Sequence, residues 1–253
     1  QVKPDFPFVP GMEAAGDVLE VGDGVKGISP GDRVVASTSL GAYAEQAVCK
    51  AASVVALPAK MDYVTAASFP VAYGTSHVGL DYRAGLQEGE TLLVTGAAGG
   101  VGLTAVEIGA QMGARVIAAA SSPEKLAVCA DHGATDLIDY TKEDLRQRVK
   151  DLTDGRGADV VYDPVGGDAF EAAMRSIAWE GRLVIIGFAS GKWNEVKTNI
   201  VMVKNVSIVG FYWGSYTIYK PEIAGQSMRQ LVDWYDAGRL HPHVSHTLPL
   251  DDV

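Results

Sequence analysis

"ETLLVTGAAGGVGLTAVEIGAQMGARVIAAASSPEKL", residues 90–126, reads as a strand, a glycine turn, a helix, a second strand and the start of a second helix. Gly96, Gly99, Gly100 and Gly102 fall between the apolar run TLLVT and the helical stretch. Glycines there let the backbone approach a pyrophosphate, and the first amides and positive end of the following helix face the anion. A glycine spacing alone is weak evidence, but the strand before it, the helix after it and the next strand supply the context that gives it meaning. The same rhythm continues downstream. TDLIDY, ADVVYD, RLVIIG and NVSIVGFYW read as strands, with helices from Pro123, near 142–151, near 168–178 and over 222–238. Short apolar strands alternating with amphipathic helices predict a parallel sheet covered on both faces. The fold class expected is α/β, a Rossmann doubly wound parallel sheet.

The second strand of such a unit usually ends in an acid that grips the adenosine ribose. Here it ends in Ser121 and Ser122, with Lys125 three residues further on. An acid would repel a phosphate on the ribose 2′ oxygen, whereas hydroxyl donors and a cation attract one. Ser122 taken alone reads equally well as the cap of the helix that Pro123 opens, and Lys125 as part of a solvated face. Together with the missing acid, these residues point to NADP(H) rather than NAD(H). Thr141 to Asp144 resembles a capping box for the helix that follows.

Residues 1 to about 58 differ in character. Gly22, Gly24, Gly27 and Gly31 punctuate short branched-residue runs, including GAYAEQAVCK and ASVVALP, which read as antiparallel strands of a compact β-unit. LHPHVSHTLPL, residues 240–250, returns to strand-like sequence.

The chain has 253 residues and a formal net charge of −10, which argues against general affinity for nucleic acid or anionic membrane. No apolar run approaches the ~18–20 residues of a membrane span, and no signal pattern opens the chain. Two cysteines, Cys49 and Cys129, are too few for a disulfide framework, and a cytoplasmic protein is expected. They and five scattered histidines, three of them in HPHVSH, make no zinc pattern. No catalytic metal is expected.

The motifs PFVPGMEAAGDVLEVGDGVKGISPGDRV, GAYAEQAV, GADVVYDPVGG, GRLVIIGFASG and NVSIVGFYWG, with the glycine stretch above, resemble the medium-chain dehydrogenase/reductase superfamily. They are most similar to its zinc-free quinone oxidoreductase, zeta-crystallin-like branch. Zinc-dependent members carry a histidine between the Gly and Glu of GHE, where this chain reads Gly11, Met12, Glu13. The resemblance implies a GroES-like β-barrel catalytic domain over 1–70, a Rossmann NADP-binding domain over 71–239 and a return to the catalytic domain over 240–253. It also implies that both ends of the catalytic domain are missing from this chain.

By the same resemblance, NADP(H) is held by Gly96, Ala98, Gly99, Gly100, Val101 and Gly102, by Ser121, Ser122, Lys125 and Tyr140, and by Asp163, Val165, Gly187, Phe188 and Ser190. The glycines of YDPVGG, residues 162–167, are expected to let the backbone approach the cofactor. Thr75 is the candidate contact to the nicotinamide, with Tyr73 beside it; a helical threonine otherwise bonds its own backbone. The family implies a homodimer through the strand near Val206 to Phe211. Without a metal the substrate is an acceptor that is already electron-poor, a quinone, with a 2-alkenal, enone or enoyl thioester as the alternative. An NADPH-binding structural or RNA-binding role without turnover, as in lens crystallins, is the third reading.

Overall fold

The computed structural model describes residues 4–252, so the outermost ends of the predicted catalytic domain, residues 1–3 and Val253, lie outside the described residues. Two compact units are present, one of residues 1–74 and 214–253, the other of residues 75–213.

In the first unit, β1 (Glu13–Asp17), β2 (Arg33–Ser37) and β3 (Val54–Ala56) form an antiparallel sheet in that order. The helices α1 (Tyr63–Ala67) and α2 (Pro70–His77) follow, and the boundary between units falls within α2. Arg33 organises the crossing from sheet to helices. Its guanidinium donates to the carbonyls of Ala59 at 2.9 Å and Met61 at 2.5 Å and lies over the Tyr63 ring, whose hydroxyl donates to Asp17 at 2.6 Å. Two expectations fail in this unit. Residues 41–50 form bends and coil instead of a strand, because the sheet places no partner beside them and Val48 is fully exposed. Residues 240–249 are also coil, where Pro242 and Pro249 carry no ladder donor.

The second unit continues α2 into a π-helical turn (Val78–Ala84). There follow β4 (Thr91–Thr95), α3 (Gly100–Gln111), β5 (Arg115–Ala120), α4 (Pro123–Asp131), β6 (Asp136–Asp139) and α5 (Leu145–Leu152). Then come β7 (Ala158–Asp163), α6 (Gly167–Ser176), β8 (Ile177–Ile185), α7 (Thr198–Lys204) and β9 (Ser207–Gly210). The short α8 (Trp213–Tyr219) and the long α9 (Pro221–Asp236) close the helical run. Helix α9 groups with the first unit, where Tyr235 meets Phe69 edge-on and Lys60 bonds Asp236. The stretches that form α7 and α8 carried no helix signal in the sequence.

All six strands of the second unit are parallel, in the order β6-β5-β4-β7-β8-β9. Their alternation divides the core: Leu93, Ile117, Ile138, Val161 and Leu183 pack on α5 and α6, while Leu92 and Val116 lie against Gly109 of α3. The order reverses between β4 and β7, the switch point at which open sheets bind ligands beyond the strand carboxyl ends. Helix α5 starts three residues later than its capping-box reading. Asp144 is its cap, accepting from Gln147 N at 2.8 Å, because Thr141 is turned back onto Asp139 at 2.5 Å.

Candidate nucleotide site at the carboxyl edge of the sheet

The glycine loop leaves β4 and turns tightly at Gly96, whose φ is 55°. Its second turn is closed by the Gly99 N–H on the Gly96 carbonyl at 3.0 Å, and the Ala97 N–H ties it to β5 through the Ala119 carbonyl. Gly102 is required by packing: a Cβ there would lie 2.2 Å from the Gly96 oxygen. Around Gly100, by contrast, there is open space. Gly99 and Gly100 are exposed, and Ala98 and Val101 are half-buried.

Helix α3 differs from its neighbours in its first turn. Asp62 caps α1, Ser122 caps α4 and Asp144 caps α5, but Gly99 brings no side chain to α3, and no acid stands in that turn. The helix therefore presents amides and a positive dipole end with no competing anion, and the open space at Gly100 lets a phosphate reach them. These features fit a pyrophosphate.

At the end of β5, Lys125 Nζ donates to Ser121 Oγ at 3.0 Å, leaving the Ser121 proton available as a donor. Ser122 is already engaged: it accepts from the Lys125 amide at 3.4 Å, and its hydroxyl holds the exposed Glu124 carboxyl below the usual range. Tyr140 follows directly on β6, with its amide on the Ala120 carbonyl and its ring partly exposed. Ser121 and Tyr140 thus stand at the tips of adjacent strands, with Lys125 beside Ser121 in the first turn of α4.

Across the switch point, Asp163 is fully buried. It accepts from Thr95 Oγ1 at 2.5 Å and from the Val165 and Gly166 amides at 3.2 Å. Burial pushes its carboxyl above the usual range against the pull of these bonds. Its oxygens are thus engaged by β4 and by its own loop. Val165 packs onto the phosphate loop, its Cγ2 2.6 Å from where a Gly96 Cβ would stand.

The loop glycines also answer to packing within the protein. Added Cβ atoms at Gly166, Gly167 and Gly187 would meet Asn194 Oδ1 at 2.9 Å, Ser190 Oγ at 3.1 Å and the Pro164 oxygen at 3.1 Å. They permit the loop after β7 and the loop after β8 to lie against each other, an approach of protein to protein. The second loop leaves Phe188 and Ser190 exposed at the same edge.

Thr75 is buried near the end of α2. Next to it, Ser76 Oγ joins Thr104 Oγ1 at 2.8 Å and Tyr162 Oη at 2.9 Å and donates to the Val101 carbonyl at 2.8 Å. This buried hydroxyl cluster fastens α2 to the first turn of α3 and to β7. Sequence reasoning missed it, since each member alone looks like a core polar residue. Tyr73 lies 3% exposed with its ring stacked on Phe69 at 4.2 Å, which places it in the core of the first unit. Among the described residues, no three His, Cys, Asp or Glu side chains converge as metal ligands, and no helix is long and apolar enough to cross a membrane.

Residues 1–59 match the alcohol dehydrogenase GroES-like domain, and residues 100–234 match the zinc-binding dehydrogenase family. The whole chain is 42% identical to 70% of a quinone oxidoreductase-like protein 2 homolog of Nematostella vectensis. The Escherichia coli quinone oxidoreductase solved with NADPH aligns with 96% of this chain and 75% of its own, at 32% identity and a TM-score of 0.87. The CurK enoyl reductase aligns with 93% of this chain and 71% of its own, at 29% identity and a TM-score of 0.83.

Proposed function

This chain belongs to the quinone oxidoreductase-like proteins of the medium-chain dehydrogenase/reductase superfamily, and from that membership we propose that it is an NADPH-dependent reductase of quinones, working without a metal. The observation that carries the cofactor reading is the pair at the end of β5, Lys125 bonded to Ser121 where an acid would otherwise stand. NADPH, once bound, supplies a hydride from its nicotinamide C4 to an electron-poor acceptor.

The chain's own residues bind and orient. Amides of Gly100, Val101 and Gly102 and the dipole of α3 hold the pyrophosphate, with Gly96, Ala98 and Gly99 shaping the loop. Ser121, Lys125 and Tyr140 hold the 2′-phosphate, and Ser122 supports them as the cap of α4. Asp163, Val165 and Gly187 shape the floor at the switch point, and Phe188, Ser190 and Thr75 line the nicotinamide side. We read residues 1–70 as catalytic domain and assign Met12 to the position where zinc-dependent relatives place a ligand; a thioether is a poor one for zinc. β9, at the sheet edge, is assigned to a homodimer contact.

Lys125→Ala is expected to weaken NADPH roughly tenfold or more, the value of a charge-assisted hydrogen bond, and to leave NADH unchanged. Equal affinity of the unmodified protein for the two nucleotides would overturn the cofactor reading. Turnover of NADPH with a para-quinone against a 2-alkenal tests the substrate class. Faster reduction of the alkenal would favour the second reading, double-bond reduction, which the likeness to CurK supports. Tight binding without turnover on either would favour a binding role.

A further inference from the structure

Helix α6 begins after Gly166, at φ 75°, which has no side chain to accept from the first amides. The acceptor comes from another loop. Asn194 Oδ1 takes the Gly167 N–H at 3.0 Å. That bond fixes the amide's orientation, because only the oxygen accepts, and it turns Nδ2 into a buried position without a partner.

We propose that Asn194 is a positioning residue for the nicotinamide half of the cofactor site, an assignment that rests on the NADPH reading above. The loop it closes is fastened near β8 by the Ala189 N–H on Pro164 O at 3.1 Å and the Ser190 N–H on Val165 O at 2.9 Å. Further along, Lys192 N donates to Ser190 Oγ at 3.3 Å, and the Trp193 ring meets Phe188 at 4.9 Å. Asn194 then pins the far end of this folded-back segment to α6. Releasing the pin leaves those two backbone bonds in place but frees the 192–194 arm, so the Phe188 ring loses its support from Trp193 and the Ser190 hydroxyl its bond from Lys192 N. Ser121 and Lys125 are unaffected, because β5 and β8 stand on opposite sides of the central β4-β7 pair. The two halves of an extended dinucleotide are thereby held by separately anchored groups.

Asparagine's two functions are also separable. Asn194→Asp keeps the acceptor, gives up only an unbonded donor and suits the positive end of a helix. Calorimetric titration of the whole protein with NADPH and with adenosine 2′,5′-bisphosphate, which lacks the nicotinamide half, tests the assignment. Asn194→Ala is expected to bind NADPH roughly fivefold more weakly, the order of a lost helix cap, with the bisphosphate affinity unchanged. Asn194→Asp is expected to restore NADPH binding to within about twofold of the unmodified protein. Unchanged NADPH binding by Asn194→Ala, equal losses for both ligands, or no rescue by Asp would each overturn the inference. If the alanine variant does not fold, Asn194→Ser, one bond too short to reach Gly167, takes its place under the same criteria. An unmodified protein that binds neither ligand would overturn the NADPH reading and this inference together, whereas one that binds both, with the variant unaltered, would overturn the inference alone.

Discussion

Gly102 and Gly100 stand two residues apart in one glycine run and answer to different constraints. A methyl at Gly102 would strike a backbone oxygen that cannot retreat without unwinding the turn, so Gly102→Ala is expected to cost about 3 kcal/mol or more of stability. Gly100→Ala meets open space in the first turn of a helix and is expected to hold or raise stability by up to about 1 kcal/mol. It should still weaken NADPH, because the methyl occupies the approach to the amides. Thermal melts with and without nucleotide separate the two effects. Cys129 is fully buried, and desolvation raises its thiol to about 11. It should resist iodoacetamide at pH 8 until the protein is unfolded, which mass spectrometry will detect. Asp163 carries a pH signature. Its folded pKa lies above the unfolded value of about 4, so the folded state holds the proton more tightly, and the stability it contributes is lost as pH rises through that raised value. Urea unfolding across pH 4 to 7 should show Asp163→Asn gaining on the unmodified protein as pH rises; a constant difference would refute the assignment.

At the level of elements, the helix starts carry much of the functional logic. Four of them show three solutions to the same problem of unpaired amides: a side-chain cap at α4 and α5, a borrowed cap at α6, and no cap at α3. Only the last leaves donors for a ligand. Ser76, Thr104 and Tyr162 then hold α2 and α3 at fixed spacing beneath the phosphate loop. Tyr162→Phe removes one buried hydroxyl bond and should cost about 1 kcal/mol, read as a melting shift of roughly 2–4 °C for a chain of this size. A melting temperature unchanged by the substitution would mean that the Tyr162 bond adds nothing to stability.

On the scale of the whole molecule, β9 closes one edge of a six-stranded parallel sheet, and such an edge offers unpaired backbone groups to another chain. Light scattering on the complete protein is expected to give twice the protomer mass, and a monomer would remove β9 from the assignment.

The doubly wound sheet was legible because strand and helix periods alternate across residues 90–211, and the glycine loop because its flanking elements are local. Four residues along one strand end and helix start bring Ser121 and Lys125 to hydrogen-bond distance without any long-range contact. The strands expected at 41–50 and 240–250 were misread for the opposite reason: a strand exists only where another lies beside it, and no local pattern reveals that partner. What sequence alone determined, then, is the Rossmann class and the glycine loop between β4 and α3, both set by short-range periodicity and turn chemistry. Tertiary structure alone decided that Asp163 is buried between Thr95 and its own loop, that the glycines at 166, 167 and 187 receive a neighbouring loop, and that Asn194 caps a helix 27 residues before it. Each depends on two distant segments packing to hydrogen-bond distance, which residue type and spacing do not encode.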